Sequence, residues 1–136
     1  MDTQQLSTEA VAQGIAKGQF TASEILAAYI QRIEGTDAQV NAFTTPCFER
    51  AAQEAKAIDQ RRARGETLPP LAGVPYAVKN LFDIEGHVTG AGNPDWLALH
   101  PPAARTAPRC ACWTAPLPRA RARNWCWRPR GPMAGC

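Results

Sequence analysis

Leu71-Ala72-Gly73-Val74-Pro75-Tyr76-Ala77-Val78-Lys79-Asn80-Leu81-Phe82-Asp83-Ile84-Glu85-Gly86 is the stretch on which the reading of this chain turns. From Val74 to Lys79 the period is two: Val74, Tyr76 and Val78 face one way and Pro75, Ala77 and Lys79 the other, the alternation of a strand. Pro75 falls near the start, where its missing N–H is least harmful. Lys79 ends the strand between Val78 and Leu81, surroundings that would partly strip water from the amine and make it a better base. The alternative is an ordinary solvated lysine at a strand end.

Upstream, the pattern is helical. Ser7 is a good N-cap, Val11 and Ile15 share a face, and Gly18 supplies a stop. Thr21 and Glu24 then form a Thr-x-x-Glu capping box, with Phe20 and Ile25 placed for a hydrophobic staple. Ile25, Leu26, Tyr29, Ile30 and Ile33 make one apolar stripe that runs until Gly35. After an extended link through Val40, Ala42 and Phe43, Pro46 opens a third helix whose inward face is Phe48, Ala51, Ala52, Ala55 and Ile58. Arg61, Arg62 and Arg64 near its end complement the helix dipole before Gly65, a more ordinary role than a nucleic-acid patch. Pro69 and Pro70 close the helical section. Downstream, Gly90-x-Gly92 lacks a third glycine and a following helix pattern, so nucleotide binding is set aside. His87 and His100 have no partner at a spacing that suggests a metal or a catalytic pair.

Composition divides the chain at Arg105. Of 136 residues, 45% are hydrophobic and 20% charged, which excludes a collagen, a rod and a wholly disordered chain. No apolar run is long enough to span a bilayer, and Met1 to Gln5 carry no signal-peptide pattern, so a cytoplasmic protein is expected. Residues 1–105 hold nine Lys plus Arg against twelve Asp plus Glu, whereas residues 106–136 hold six Arg and no acid. The formal charge of +3 therefore conceals an acidic body and an arginine tail.

The stretch quoted first resembles the N-terminal motif of the amidase signature family. Val40-Asn41-Ala42-Phe43-Thr44 and the helix ending Ala57-Ile58-Asp59 are also similar to that family's N-terminal helices. Within the family, Tyr76-Ala77-Val78-Lys79-Asn80-Leu81-Phe82-Asp83 is most similar to amidohydrolases acting on carboxybiuret, biuret or allophanate. It is somewhat less like the glutaminase component of tRNA-dependent amidotransferases. The resemblance covers roughly residues 5–105, the N-terminal part of a much longer domain. It implies an α/β fold around a mixed sheet flanked by helices, here only the N-terminal helices and first strand. It also implies a Ser, cis-Ser, Lys triad in which Lys79 is the base, with no metal or cofactor. The substrate implied is a small amide or urea-like molecule. For the full-length enzyme the resemblance leaves open a small partner subunit or a homo-oligomer.

Both family serines lie in a Gly/Ser-rich run that also builds the oxyanion hole, and no such run occurs here. The chain's two serines, Ser7 and Ser23, both stand at helix starts. Without nucleophile, relay or oxyanion donors, this polypeptide alone is expected to be inactive.

In residues 106–136 there is no Val, Ile, Phe or Tyr, and Pro108, Pro116, Pro118, Pro129 and Pro132 interrupt any helix or central strand. That composition of Arg, Ala, Pro, Cys and Trp is what a reading-frame shift in a GC-rich gene would spell. A frameshifted tail, largely irregular, on a truncated product is the expectation. Three rivals carry less weight. Arg119, Arg121, Arg123, Arg128 and Arg130 with Trp125 and Trp127 could bind single-stranded nucleic acid. Cys110, Cys112, Cys126 and Cys136 could bind zinc, but without the paired spacing, and a disulfide framework would need a secreted context. Two function classes follow. One is a fragment of an amidase-family hydrolase, its variant being the amidotransferase glutaminase. The other is a non-catalytic helical module with a basic tail.

Overall fold

The computed structural model describes residues 6–107. Among these described residues four helices follow one another: α1 (Thr8–Lys17), α2 (Ala22–Val40), α3 (Phe48–Ala63) and the short α4 (Pro94–Leu99). Among the described residues no helix is long and apolar enough to cross a membrane. The irregular tail expected from 106 onward lies outside the described residues beyond Ala107.

α1 and the start of α2 follow the capping chemistry in the sequence. Ser7 Oγ accepts the Ala10 N–H at 3.1 Å, and Gly18 closes α1 in the left-handed region at φ 73°. Thr21 and Glu24 form the full capping box, Thr21 Oγ1 accepting the Glu24 N–H at 3.0 Å and Glu24 accepting the Thr21 N–H at 2.8 Å. Phe20, just before it, lays its ring on Gly14 of α1, where a Cβ would collide with the ring and force it to shift.

α2 does not stop at Gly35 as expected but continues to Val40. One glycine inside a helix costs only about 1 kcal/mol, too little to end it without a capping structure. The stop is made instead by Asn41, left-handed at φ 52°, and by Asp37, whose carboxylate accepts the Ala42 N–H at 2.8 Å.

α3 lies against α2, and its alanine-rich face permits the approach. Val11, Ile15, Ala22, Ile25, Ala55, Ile58 and Ala72 form the core, with Leu26, Tyr29, Leu68 and Val74 packed around it. Ile15 and Ile25 are fully buried, each a side chain worth about 1.5–3 kcal/mol when removed from water. Two charges one turn apart on α3 then fasten the α1–α2 connection. Asp59 accepts the N–H groups of Ala22 and Ser23 at 2.8 and 3.1 Å and the Ser23 hydroxyl at 2.6 Å, serving as a cap supplied from another helix. Arg62 donates to the carbonyls of Ile15 and Phe20 at 3.1 and 3.3 Å. Arg62 thus serves the end of α1 rather than that of its own helix, while Arg61 and Arg64 both pair with Glu66, at 3.0 and 2.7 Å.

The strand expected at Val74 to Lys79 is not formed. These residues are neither helical nor laddered, and the one bridge among the described residues pairs Glu85 with Ala103 in parallel. Alternation sets which side chains share a face, but a strand also needs a neighbour to receive its N–H and C=O groups. A helix does follow Gly92, against expectation: Asn93 caps α4 by accepting the Asp95 N–H at 3.0 Å, with Pro94 in the first turn.

Candidate active site

The segment that carries Lys79 leaves the core through a tight turn. The Ala72 N–H bonds the Pro69 carbonyl at 3.0 Å and the Val74 N–H bonds that of Leu71 at 3.2 Å. Between them Gly73 is left-handed at φ 81°, so close to Ala22 and Ile15 that a Cβ would stand 2.8 and 2.9 Å from their side chains. Val74 then packs on the core, and Tyr76 is 40% exposed. With Leu26, Ala55, Ile58 and Glu54, residues 73–76 line a shallow cavity of about 110 Å³.

Lys79 stands at the root of a braced loop. Its carbonyl accepts the Phe82 N–H at 3.0 Å, and the Asn80 carbonyl accepts the Ala91 N–H at 3.0 Å, closing residues 80–91. Inside that loop Thr89 donates to the Asp83 carboxylate at 2.5 Å. Outside it, Ala107 donates to the Asp83 carbonyl at 2.8 Å and Thr106 accepts the Glu85 N–H at 3.1 Å. Arg50 reaches from α3 to the Glu85 carbonyl at 3.0 Å while pairing with Glu54 at 2.9 Å. That bond to Glu54 holds the guanidinium above its ordinary value.

The Lys79 side chain itself is exposed. The partial desolvation expected between Val78 and Leu81 is not provided by residues 6–107, because Leu81 is itself 61% exposed and Phe82 43%. Ser7 and Ser23 are both engaged at helix starts. His100 stacks on Trp96, ring centroids 3.5 Å apart. His87 has a partner that sequence spacing did not suggest: Cys47 Sγ, 3.7 Å from its Nε2. The two are 40 positions apart, and only the folding of the 80–91 loop onto the start of α3 brings them together.

The Amidase family model matches residues 24–106, more than half of the chain, and the chain belongs to that family. It is similar to AtzE, the 1-carboxybiuret hydrolase subunit of Pseudomonas sp. (strain ADP), 54% identical over 88 residues that make up 65% of this chain and 19% of that one. A glutamyl-tRNA(Gln) amidotransferase subunit of Streptomyces coelicolor is 42% identical over 92 residues, 68% of this chain and 18% of the relative. Among solved structures, a vestigial protein complex bearing on the origins of an s-triazine catabolic enzyme matches with a TM-score of 0.72 and 52% identity. The match covers 75% of this chain and 22% of that one. A bacterial aryl acylamidase of the amidase signature family gives 0.68 at 28% identity, over 73% and 20% of the two chains. The architecture is accordingly that of a part of the α/β amidase signature fold. The chain spans about a fifth of the length of these relatives.

Proposed function

We propose that residues 24–106 are the N-terminal piece of a hydrolase that cleaves the C–N bond of a small amide or urea-like substrate. In this reading Lys79 stands at the position of the triad base. The observation that carries it is the 52% identity at a TM-score of 0.72 to the vestigial complex. Chemically, a lysine amine at this point takes the proton that a relaying serine removes from the nucleophilic serine, and returns it to the departing nitrogen. The Asn80–Ala91 closure and the Arg50 bond to Glu85 fix the backbone on which that amine stands.

The chain holds two serines, each committed to a helix start, and so supplies neither nucleophile nor relay. Taken alone, the 136-residue chain is expected to release no ammonia from biuret-type or simple amides. Measurable turnover would overturn that expectation. The role of Lys79 is tested by grafting residues 24–106 in place of the matched stretch of the Pseudomonas 1-carboxybiuret hydrolase subunit. The graft is expected to retain hydrolysis. Lys79→Met within it is expected to lower kcat by about 10²-fold or more, and an unchanged kcat would remove Lys79 from the mechanism.

The 42% identity to the Streptomyces amidotransferase protein favours a second reading, a glutaminase. The same graft placed in that host separates the two, since the correct host retains the larger share of its activity. Two of the relatives are named as subunits and one neighbour as a complex, which supports a partner protein for the whole enzyme.

A further inference from the structure

Cys47 Sγ lies 3.7 Å from Nε2 of His87 and 4.0 Å from its Nδ1, a thiol and an imidazole in contact. Both residues are half-buried. The amidase reading uses neither residue.

The pair is held from both sides. Cys47 is the residue before α3, its thiol 3.5 Å from the Thr45 carbonyl, and it makes no cap bond to the helix. His87 is fixed in its turn by its own N–H on the Ile84 carbonyl at 2.9 Å and by the Ala103 N–H on its carbonyl at 2.9 Å. Arg50, in the first turn of α3, bonds the Glu85 carbonyl and so pins that turn to the helix start. A thiol becomes a strong nucleophile when its proton is taken, and the imidazole is the acceptor in reach.

We propose that Cys47 and His87 form a thiol-modification site that takes small disulfides, with Cys47 as nucleophile and His87 as proton acceptor. Cys47 sulfur attacks one sulfur of the disulfide; the new S–S bond forms as the old one breaks. The Cys47 proton passes by way of His87 to the departing thiolate. Cys47 is oxidised, the disulfide is reduced to one thiol and one mixed-disulfide half, and no further reactant is needed.

A cysteine that is merely packed against a histidine reacts more slowly folded than unfolded, because burial hinders approach; the proposal requires the opposite sign. The full chain is incubated with glutathione disulfide, natively and in urea, and modification is read at each cysteine by peptide mass spectrometry. Cys110, Cys112, Cys126 and Cys136 act as internal references. Cys47 is expected to react at least about tenfold faster natively than in urea, and His87→Ala or His87→Gln to remove about that factor at Cys47 alone. A native rate at Cys47 equal to or below its rate in urea overturns the proposal, as does a rate that neither variant slows. Far-UV circular dichroism identifies which variant retains its helices. If neither does, the comparison of native with urea rates in the unaltered chain decides.

Discussion

Replacing three glycines by alanine, one at a time, separates two effects that are usually entangled. Gly35 lies inside α2 with nothing within 4 Å of a Cβ and no positive φ. Alanine there gains helix propensity and is expected to stabilise by about 0.8–1 kcal/mol. Gly65 also faces open space, but at φ 71°, so alanine meets only the left-handed penalty of about 1–2 kcal/mol. Gly73 combines φ 81° with contacts at 2.8 Å to Ala22 Cβ and 2.9 Å to Ile15 Cδ1. Overpacking of a fitted core adds about 1–3 kcal/mol to the same backbone term, so Gly73→Ala is expected to lose about 2–5 kcal/mol. Urea unfolding of the 136-residue chain followed at 222 nm reads all three, with a slope near 1 kcal/mol per molar at this size. The order Gly35 above the unaltered chain, Gly65 below it and Gly73 lowest is required. A Gly73→Ala midpoint at or above that of Gly65→Ala would refute the contact between this turn and the core.

Asp59→Ala removes three hydrogen bonds from the start of α2 and is expected to cost about 1.5–3 kcal/mol by the same urea assay, with Asp59→Asn recovering part of it. The Glu24 carboxyl is held below its ordinary value by the Thr21 N–H and hydroxyl, and that of Glu66 by Arg64 and then Arg61. Lowered carboxyl values stabilise the fold above the ordinary glutamate range and lose that contribution as pH falls through and below about 4. The Thr21 amide resonance should therefore report loosening of the box as pH falls below the ordinary glutamate range, a change that Glu24→Gln abolishes. If the arginine-rich tail is out of frame, the coding DNA past codon 105 read in the other two frames restores the Gly/Ser-rich amidase run; its absence from both removes that account.

What is legible in the sequence is local. Ser7, Thr21 and Glu24 act within one turn of themselves, and the bounds of α1 and the start of α2 follow from them. The end of α2 escapes such a reading because Gly35 is a weak breaker and the true stop uses Asp37 and Asn41 together. Asn93-Pro94-Asp95 does carry a helix-start signal for α4, masked by the glycines before it. Contacts between distant positions leave no periodic trace: Arg62 on Ile15, Asp59 on Ala22, and Cys47 on His87 are pairings of single residues. The alternation from Val74 to Lys79 is a pattern of the sequence, yet pairing depends on a second segment that no periodicity within the first can supply. The surroundings of Lys79 differ from expectation for the same reason, since Leu81 and Phe82 face solvent instead of covering it.

The grip of α3 on the α1–α2 connection bears on how the chain moves. Asp59 holds the entry to α2 and Arg62 the exit from α1, from one turn of a single helix. An elbow clamped on both sides by opposite charges cannot flex by itself. Opening it requires α3 to lift, so the amides of Ala22 and Ser23 should exchange with solvent only in the event that exposes Ile58. That couples a surface connection to the core of the molecule. Hydrogen exchange would then show one cooperative unit running from Thr8 to Ala63, with the 80–91 loop opening separately.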